Sequence, residues 1–178
     1  RALAYRLYES NGVLKRSFIS EYLKKINQED RKKLRKLGVK FGRYHVFLFK
    51  LFKPSSVSLR ILLWKSYNNK FLNLSPPTFG LNFLNNMKTA NKDFMLLCGF
   101  EKFDDIYVRI DILERLFLLI FNSKKDEKEE VKVVPEMLNL LGCSKENFKK
   151  LLKKMDYKIF EKEKEFFIKY VPTKKKIF

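Results

Sequence analysis

Between Leu37 and Pro54 the chain reads LGVKFGRYHVFLFKLFKP, where aromatic, β-branched and basic residues interleave more densely than anywhere else in its 178 positions. Val39, Phe41, Phe47, Phe49 and Leu51 share one period-2 face, and Tyr44, Val46, Leu48 and Phe52 share the other. That pattern predicts a strand or hairpin buried on both sides. Gly38 and Gly42 bracket its start, and Pro54, which has no N–H for a ladder, closes it. Lys40, Arg43, Lys50 and Lys53 punctuate the stretch. With Tyr44 they form the first candidate for nucleic-acid contact, because a ring offers a stacking platform while neighbouring cations track phosphates.

With 46% hydrophobic and 15% aromatic residues, the rest of the chain has ample material for one substantial core or two small ones. The runs Val46 to Phe52 and Ile112 to Phe121 are interrupted by charges and fall well short of the roughly 20 residues of a membrane span, so no membrane partner is expected. Cys98 and Cys143 form no CxxC and sit in apolar surroundings. They are read as reduced core thiols of a cytoplasmic protein, with neither a disulfide nor a zinc site expected. Because the sequence opens on Arg1 and runs straight into helix-like ALAYRLYE, it is expected to be a fragment of a longer protein, with no signal peptide to read.

The net charge of +19 is unevenly spread. Residues 1–80 carry 18 Lys and Arg against 4 Asp and Glu, residues 81–142 carry 9 against 11, and residues 143–178 carry 12 against 5. Basicity at both ends around an acidic middle points to a polyanion partner, with salt-dependent binding.

Residues 2–10 read as a helix ended by Asn11-Gly12, and Ser17 is expected to cap a second helix with Phe18, Ile19, Tyr22, Leu23 and Ile26 on its apolar stripe. Asn27 caps a third, acidic at its start and basic at its end. Ser55 or Ser56 is expected to cap a fourth, bearing Val57, Leu59, Leu62, Leu63 and Trp64. The run Ser75-Pro76-Pro77 reads as a spacer. The expected division is therefore a module over 1–74, a linker over 75–90 and a second module over 91–178.

In that second module Asn91–Cys98 reads as a helix, Ile106–Ile110 as a strand, and Asp111 as the cap of an apolar helix reaching Asn122. A solvated loop over Lys124–Glu130, a strand over Val131–Val134, a helix over Pro135–Leu141 and a Ser144-capped helix follow. The last helix keeps Phe148, Leu151, Leu152 and Met155 at core spacing and sets Lys149, Lys150, Lys153 and Lys154 on the other arc. Two strands, Tyr157–Phe160 and Glu165–Val171, close the unit as a hairpin through Glu161–Lys164, whose Lys162 and Lys164 join the candidate binding set. Helix, strand, helix, helix, hairpin is the order of a winged helix, in which the second helix of the pair meets nucleic acid. The expected class is α+β, mainly helical: an N-terminal helical module with a central strand or hairpin, then a winged-helix-like module.

The segments ALAYRLYESNGVL, LRKLGVKFGRYHVFLFKLFKP, YVRIDILERLFLLI and PEMLNLLGCSKENFKKLLKKMDYK resemble, in that order, the C-terminal accessory region of alphaproteobacterial superfamily 2 helicases, relatives of the mitochondrial degradosome RNA helicase. GVKFGRYH, VRIDILERL and LLGCSKENF are its most specific marks, and Lys65 to Asn91 matches weakly. The resemblance implies a non-motor portion of an ATP-dependent helicase that helps hold single-stranded RNA, with motor domains upstream in the same chain and ATP and Mg bound there. This chain holds no GxxxxGK[ST] loop and no DExH or DExD box, so neither ATP nor any other cofactor is expected in it, nor enzymatic activity. Phe49 stands where the family usually has proline, Met155-Asp156 where Leu-Gly is commoner, and lysine where it favours arginine, which argues against bidentate arginine geometry.

Other chemistry is thin. His45 is the only histidine and builds neither a metal site nor a triad. Asp104, Asp105, Asp111 and Glu114 read as caps and solvated charges rather than a catalytic pair. The alternatives to nucleic-acid holding are a scaffold that docks a nuclease or ribosome-associated partner, and a winged-helix DNA-binding regulator.

Overall fold

The computed structural model describes residues 1–68, 73–123, 130–162 and 165–171. They divide into two units that interleave along the chain: Arg1–Phe79 with Asn91–Phe100, and Gly80–Ala90 with Glu101 onward. The class is α+β, with eight α-helices and three small antiparallel sheets among the described residues.

In the first unit, helix α1 (Ala2–Glu9) ends where Asn11 (φ 52°) and Gly12 (φ 81°) turn left-handed. Gly12 donates its N–H to the Leu7 carbonyl at 2.7 Å. Strand β1 (Val13–Lys15) follows, then a 3-10 turn (Arg16–Ile19) and helix α2 (Ser20–Lys25). Ser17 lies inside the 3-10 turn and caps nothing; α2 has Ile19 at its N-cap with no side-chain bond. Helix α3 (Gln28–Lys36) is capped as expected, with Asn27 accepting from the Asp30 N–H at 2.7 Å.

The stretch that opened the sequence reading becomes a hairpin, β2 (Val39–Phe41) and β3 (His45–Leu48), and then leaves the sheet as a 3-10 turn over Phe49–Phe52. Strand β3 is central, with β1 and β2 antiparallel on either side. Its Val46 and the neighbouring Leu14 and Val39 face a core with Leu3, Leu7, Ile19 and Leu23. On the opposite face Phe47 packs on Phe52, ring centroids 5.2 Å apart. Both sides of the sheet are buried, but Phe49 is exposed, because the period-2 pattern breaks at the 3-10 turn.

Pro54 is the first residue of helix α4 (Pro54–Tyr67), whose N-cap is Lys53 rather than a serine. Val57 and Ile61 point inward, while Leu59, Leu62 and Leu63 are exposed. Helix α5 (Lys92–Leu97), capped by Asn91, packs on α4 through Phe94 against Trp64, centroids 5.6 Å apart.

The second unit begins inside the stretch read as a linker: strand β4 (Phe83–Leu84) pairs with β6 (Ile106–Arg109), which also pairs with β5 (Phe100–Phe103). Helix α6 (Ile110–Asn122) buries Ile112, Leu113, Leu116, Phe117 and Ile120, each contributing about 1.5–3 kcal/mol by burial. Its N-cap is Arg109, so Asp111 is no cap. Instead Asp111 sits buried in the first turn and accepts twice from Arg109, at 3.1 and 2.6 Å.

Strand β7 (Val131–Lys132) leads into helix α7 (Pro135–Leu141), opened by proline and stopped by Gly142 in the left-handed region. Helix α8 (Lys145–Lys154) is capped by Ser144, and strands β8 (Tyr157–Lys162) and β9 (Glu165–Tyr170) follow. Strand β9 lies between β7 and β8. Most of the loop read over Lys124–Glu130 lies outside the described residues.

Candidate nucleic-acid interface

Helix α8 is amphipathic because its apolar residues recur at i, i+3 and i+4. Phe148, Leu151 and Leu152 are buried, and the turn of about 100° per residue leaves the lysines on the remaining arc. Lys145, Lys149 and Lys153 fall on one line along it, and Lys150 and Lys154 on a second with Glu146. Successive members of a line are about 6 Å apart along the axis. Lys145 belongs to this face and was missed by the sequence reading, although its position four residues before Lys149 was the available signal.

The lysines are not equivalent. Lys149 lies over the ring of Phe166 on β9, its Nζ 3.7 Å from the centroid, and Lys145 lies 6.0 Å from the same ring. Such contacts keep the charge and fix the stem. Lys154 pairs with Asp104 in the β5–β6 turn. The mutual hydrogen bond, then the opposite charge, holds the Asp104 carboxyl below its ordinary range and raises Lys154 above its own. Both groups are solvent-exposed, so the pair is a tether more than a source of stability. Lys150 and Lys153 are exposed and carry no ion pair among the described residues. Lys162, at the end of β8, pairs with Glu130 and lies 5.7 Å from the Phe167 centroid. Lys164 lies outside the described residues.

The candidates of the first unit do not converge. Arg43 and Tyr44 occupy the β2–β3 turn, and Arg43 stacks over the Tyr44 ring at 5.8 Å, occupying a face that a base would need. Lys50 sits beside Gly38 at the other end of the hairpin, and Lys53 is exposed just before α4. Lys40 is exposed on β2, opposite Phe47. His45 is buried within β3.

A cleft of about 500 Å³ separates α7 and α8 from the hairpin, floored by Phe148, Leu152, Ile159 and Ile168 and rimmed by Lys132, Lys145 and Lys149. Burial pushes the Cys98 thiol up to about 12 and that of Cys143 to about 11, so neither is a nucleophile at neutral pH. Among the described residues no cluster of His, Cys, Asp or Glu could hold a metal ion, and no helix is long and apolar enough to cross a membrane. Compared with known proteins, the chain matches no family model, no curated protein and no solved structure.

Proposed function

We propose that this chain is a non-catalytic accessory region of an ATP-dependent superfamily 2 helicase and that it holds single-stranded nucleic acid, RNA in the first instance, along the lysine face of α8. The observation that carries the reading is that face: five lysines and one acid on the solvent arc of a helix whose other arc is core. The order α6, β7, α7, α8, β8, β9, with β9 between β7 and β8, supports a winged-helix reading of this unit, in which α8 is the helix that meets the strand. The helicase parentage, the upstream motor domains with their ATP and Mg, and the cytoplasmic setting rest on the sequence resemblance. The expectation that the region has no activity of its own rests on the missing motor motifs.

The test is a salt titration of binding to a fluorescent single-stranded RNA. Each phosphate neutralised lowers log affinity by about 0.7 per log unit of salt, so four contacts give a slope near −3. Charge reversal at Lys150 and Lys153 is expected to remove most of the binding. Weak, salt-insensitive association would sink the reading, and sequence-discriminating preference for duplex DNA would favour a DNA-binding regulator. A second reading, docking of a nuclease or ribosome-associated protein, is favoured by the exposed Leu59, Leu62 and Leu63 of α4.

A further inference from the structure

The β7–β9–β8 sheet has a face that α8 does not cover. Pairing and alternation put Ile159, Phe166 and Ile168 toward the cleft beneath α8. The residues between them, Lys158, Phe160, Lys162, Phe167 and Lys169, therefore share the opposite face, while Glu165, at the start of β9, reaches the cleft rim with its partner Lys132. On that face Phe160 lies directly across from Phe167, and Lys158 directly across from Lys169. Lys132 of β7 is the third-strand neighbour of Phe167. Lys162 pairs with Glu130, and Lys132 with Glu165, so those cations are locally balanced. Lys158 and Lys169 have no such carboxylate among the described residues.

Like charges directly opposite in an antiparallel pair are destabilising, and two half-buried phenyl rings beside them leave apolar surface partly wet. One occupant satisfies both: an anion between the ammonium groups, joined to a flat ring that stacks on Phe160. We propose that this outer face of the β7–β9–β8 sheet is a second contact for single-stranded nucleic acid, a phosphate bound by Lys158 and Lys169 and an unpaired base stacked on Phe160, beside Phe167, whose ring lies under Lys162. The assignment rests on the nucleic-acid reading of the chain, and it lies on the side of the sheet away from α8.

Binding of the full chain to a fluorescent single-stranded RNA 12-mer, measured against salt, tests it. Lys158→Gln with Lys169→Gln is expected to weaken binding and flatten the salt slope by about 0.7, the share of one phosphate, without lowering the melting temperature, since a repulsive pair is removed. Phe160→Leu with Phe167→Leu, which keeps the apolar bulk, is expected to weaken binding about 5- to 100-fold at an unchanged slope. The loss should shrink severalfold when the RNA carries abasic sites, because no ring remains to stack. Equal losses with intact and abasic strands would overturn the stacking assignment. If both double variants bind like the parent while Lys150→Glu with Lys153→Glu does not, the sheet contact is wrong and the α8 reading stands. If all three bind like the parent, both readings fall.

Discussion

Two glycines in the left-handed region separate backbone strain from crowding. Gly142 (φ 66°) has open space where a Cβ would stand, whereas a Cβ on Gly12 (φ 81°) would come within 2.2 Å of Leu51 Cδ1. Gly142→Ala is therefore expected to cost about 1 kcal/mol, the left-handed penalty alone. Gly12→Ala adds displacement of Leu51 and should cost about 2–3 kcal/mol in urea denaturation, most of the excess returning when Leu51→Ala is added. Equal costs at the two glycines would show that Leu51 moves away freely. The buried thiol makes a separate residue-scale prediction. With Cys98 raised to about 12 in the fold, the unfolded chain loses its proton first as pH climbs past about 9. Its contribution is full below that pH and drains away up to about 12, by at most about 1.4 kcal/mol per pH unit. The denaturation midpoint should drop less between pH 7 and pH 10 in Cys98→Ala than in the parent.

At the scale of elements, what the sequence made legible is what local chemistry decides. Helices α3, α7 and α8 begin and end where Asn27, Pro135, Ser144 and Gly142 indicate, because capping and a fixed φ act within one turn. The lysine face of α8 follows from the same periodicity. The covered arc of helix α4 is not legible in its sequence because apolar residues surround it: Leu59, Leu62 and Leu63 are as hydrophobic as Val57 and Ile61, and only the tertiary partner decides which arc is covered. Phe18 was misread because the Arg16–Ile19 turn is 3-10, which advances each residue by 120° and swings the ring into solvent, 78% exposed. Strands β1, β4 and β5 are too short to show a period. The pairing of Phe160 with Phe167 is a matter of register, invisible until the strands are aligned. For α4 the expected outcome is asymmetric. Ile61→Ala should cost about 2–4 kcal/mol, while Leu62→Ser with Leu63→Ser should change stability by less than about 0.5 kcal/mol. A large loss from the serine pair in thermal denaturation would show that this arc is covered in the isolated chain.

For the whole molecule, the order of the segments matters more than the proline-rich spacer at 75–77. The spacer is where composition places a boundary, but Asn91–Phe100 belongs to the first unit and Gly80–Ala90 to the second, so no single cut separates them. The physical reason lies in two local contacts. Phe94 of α5 packs on Trp64 of α4, and a Cβ on Gly99 would lie 2.5 Å from the Phe52 ring, so this segment closes the first core. Strand β4 completes the β4–β6–β5 sheet, with Asn82 donating to the Leu140 carbonyl and Asn85 to Asn147 at the base of α8. A fragment of residues 1–79 accordingly lacks a wall of its own core. Burial of Phe94, Met95 and Leu97 is worth about 5–8 kcal/mol together, comparable to the whole stability of a small domain. The fragment should therefore show no cooperative unfolding transition alone and regain one, monitored by Trp64 fluorescence, when a peptide of residues 91–100 is supplied in excess. Cooperative unfolding of 1–79 without that peptide would show that the spacer, not the interleaved packing, sets the boundary.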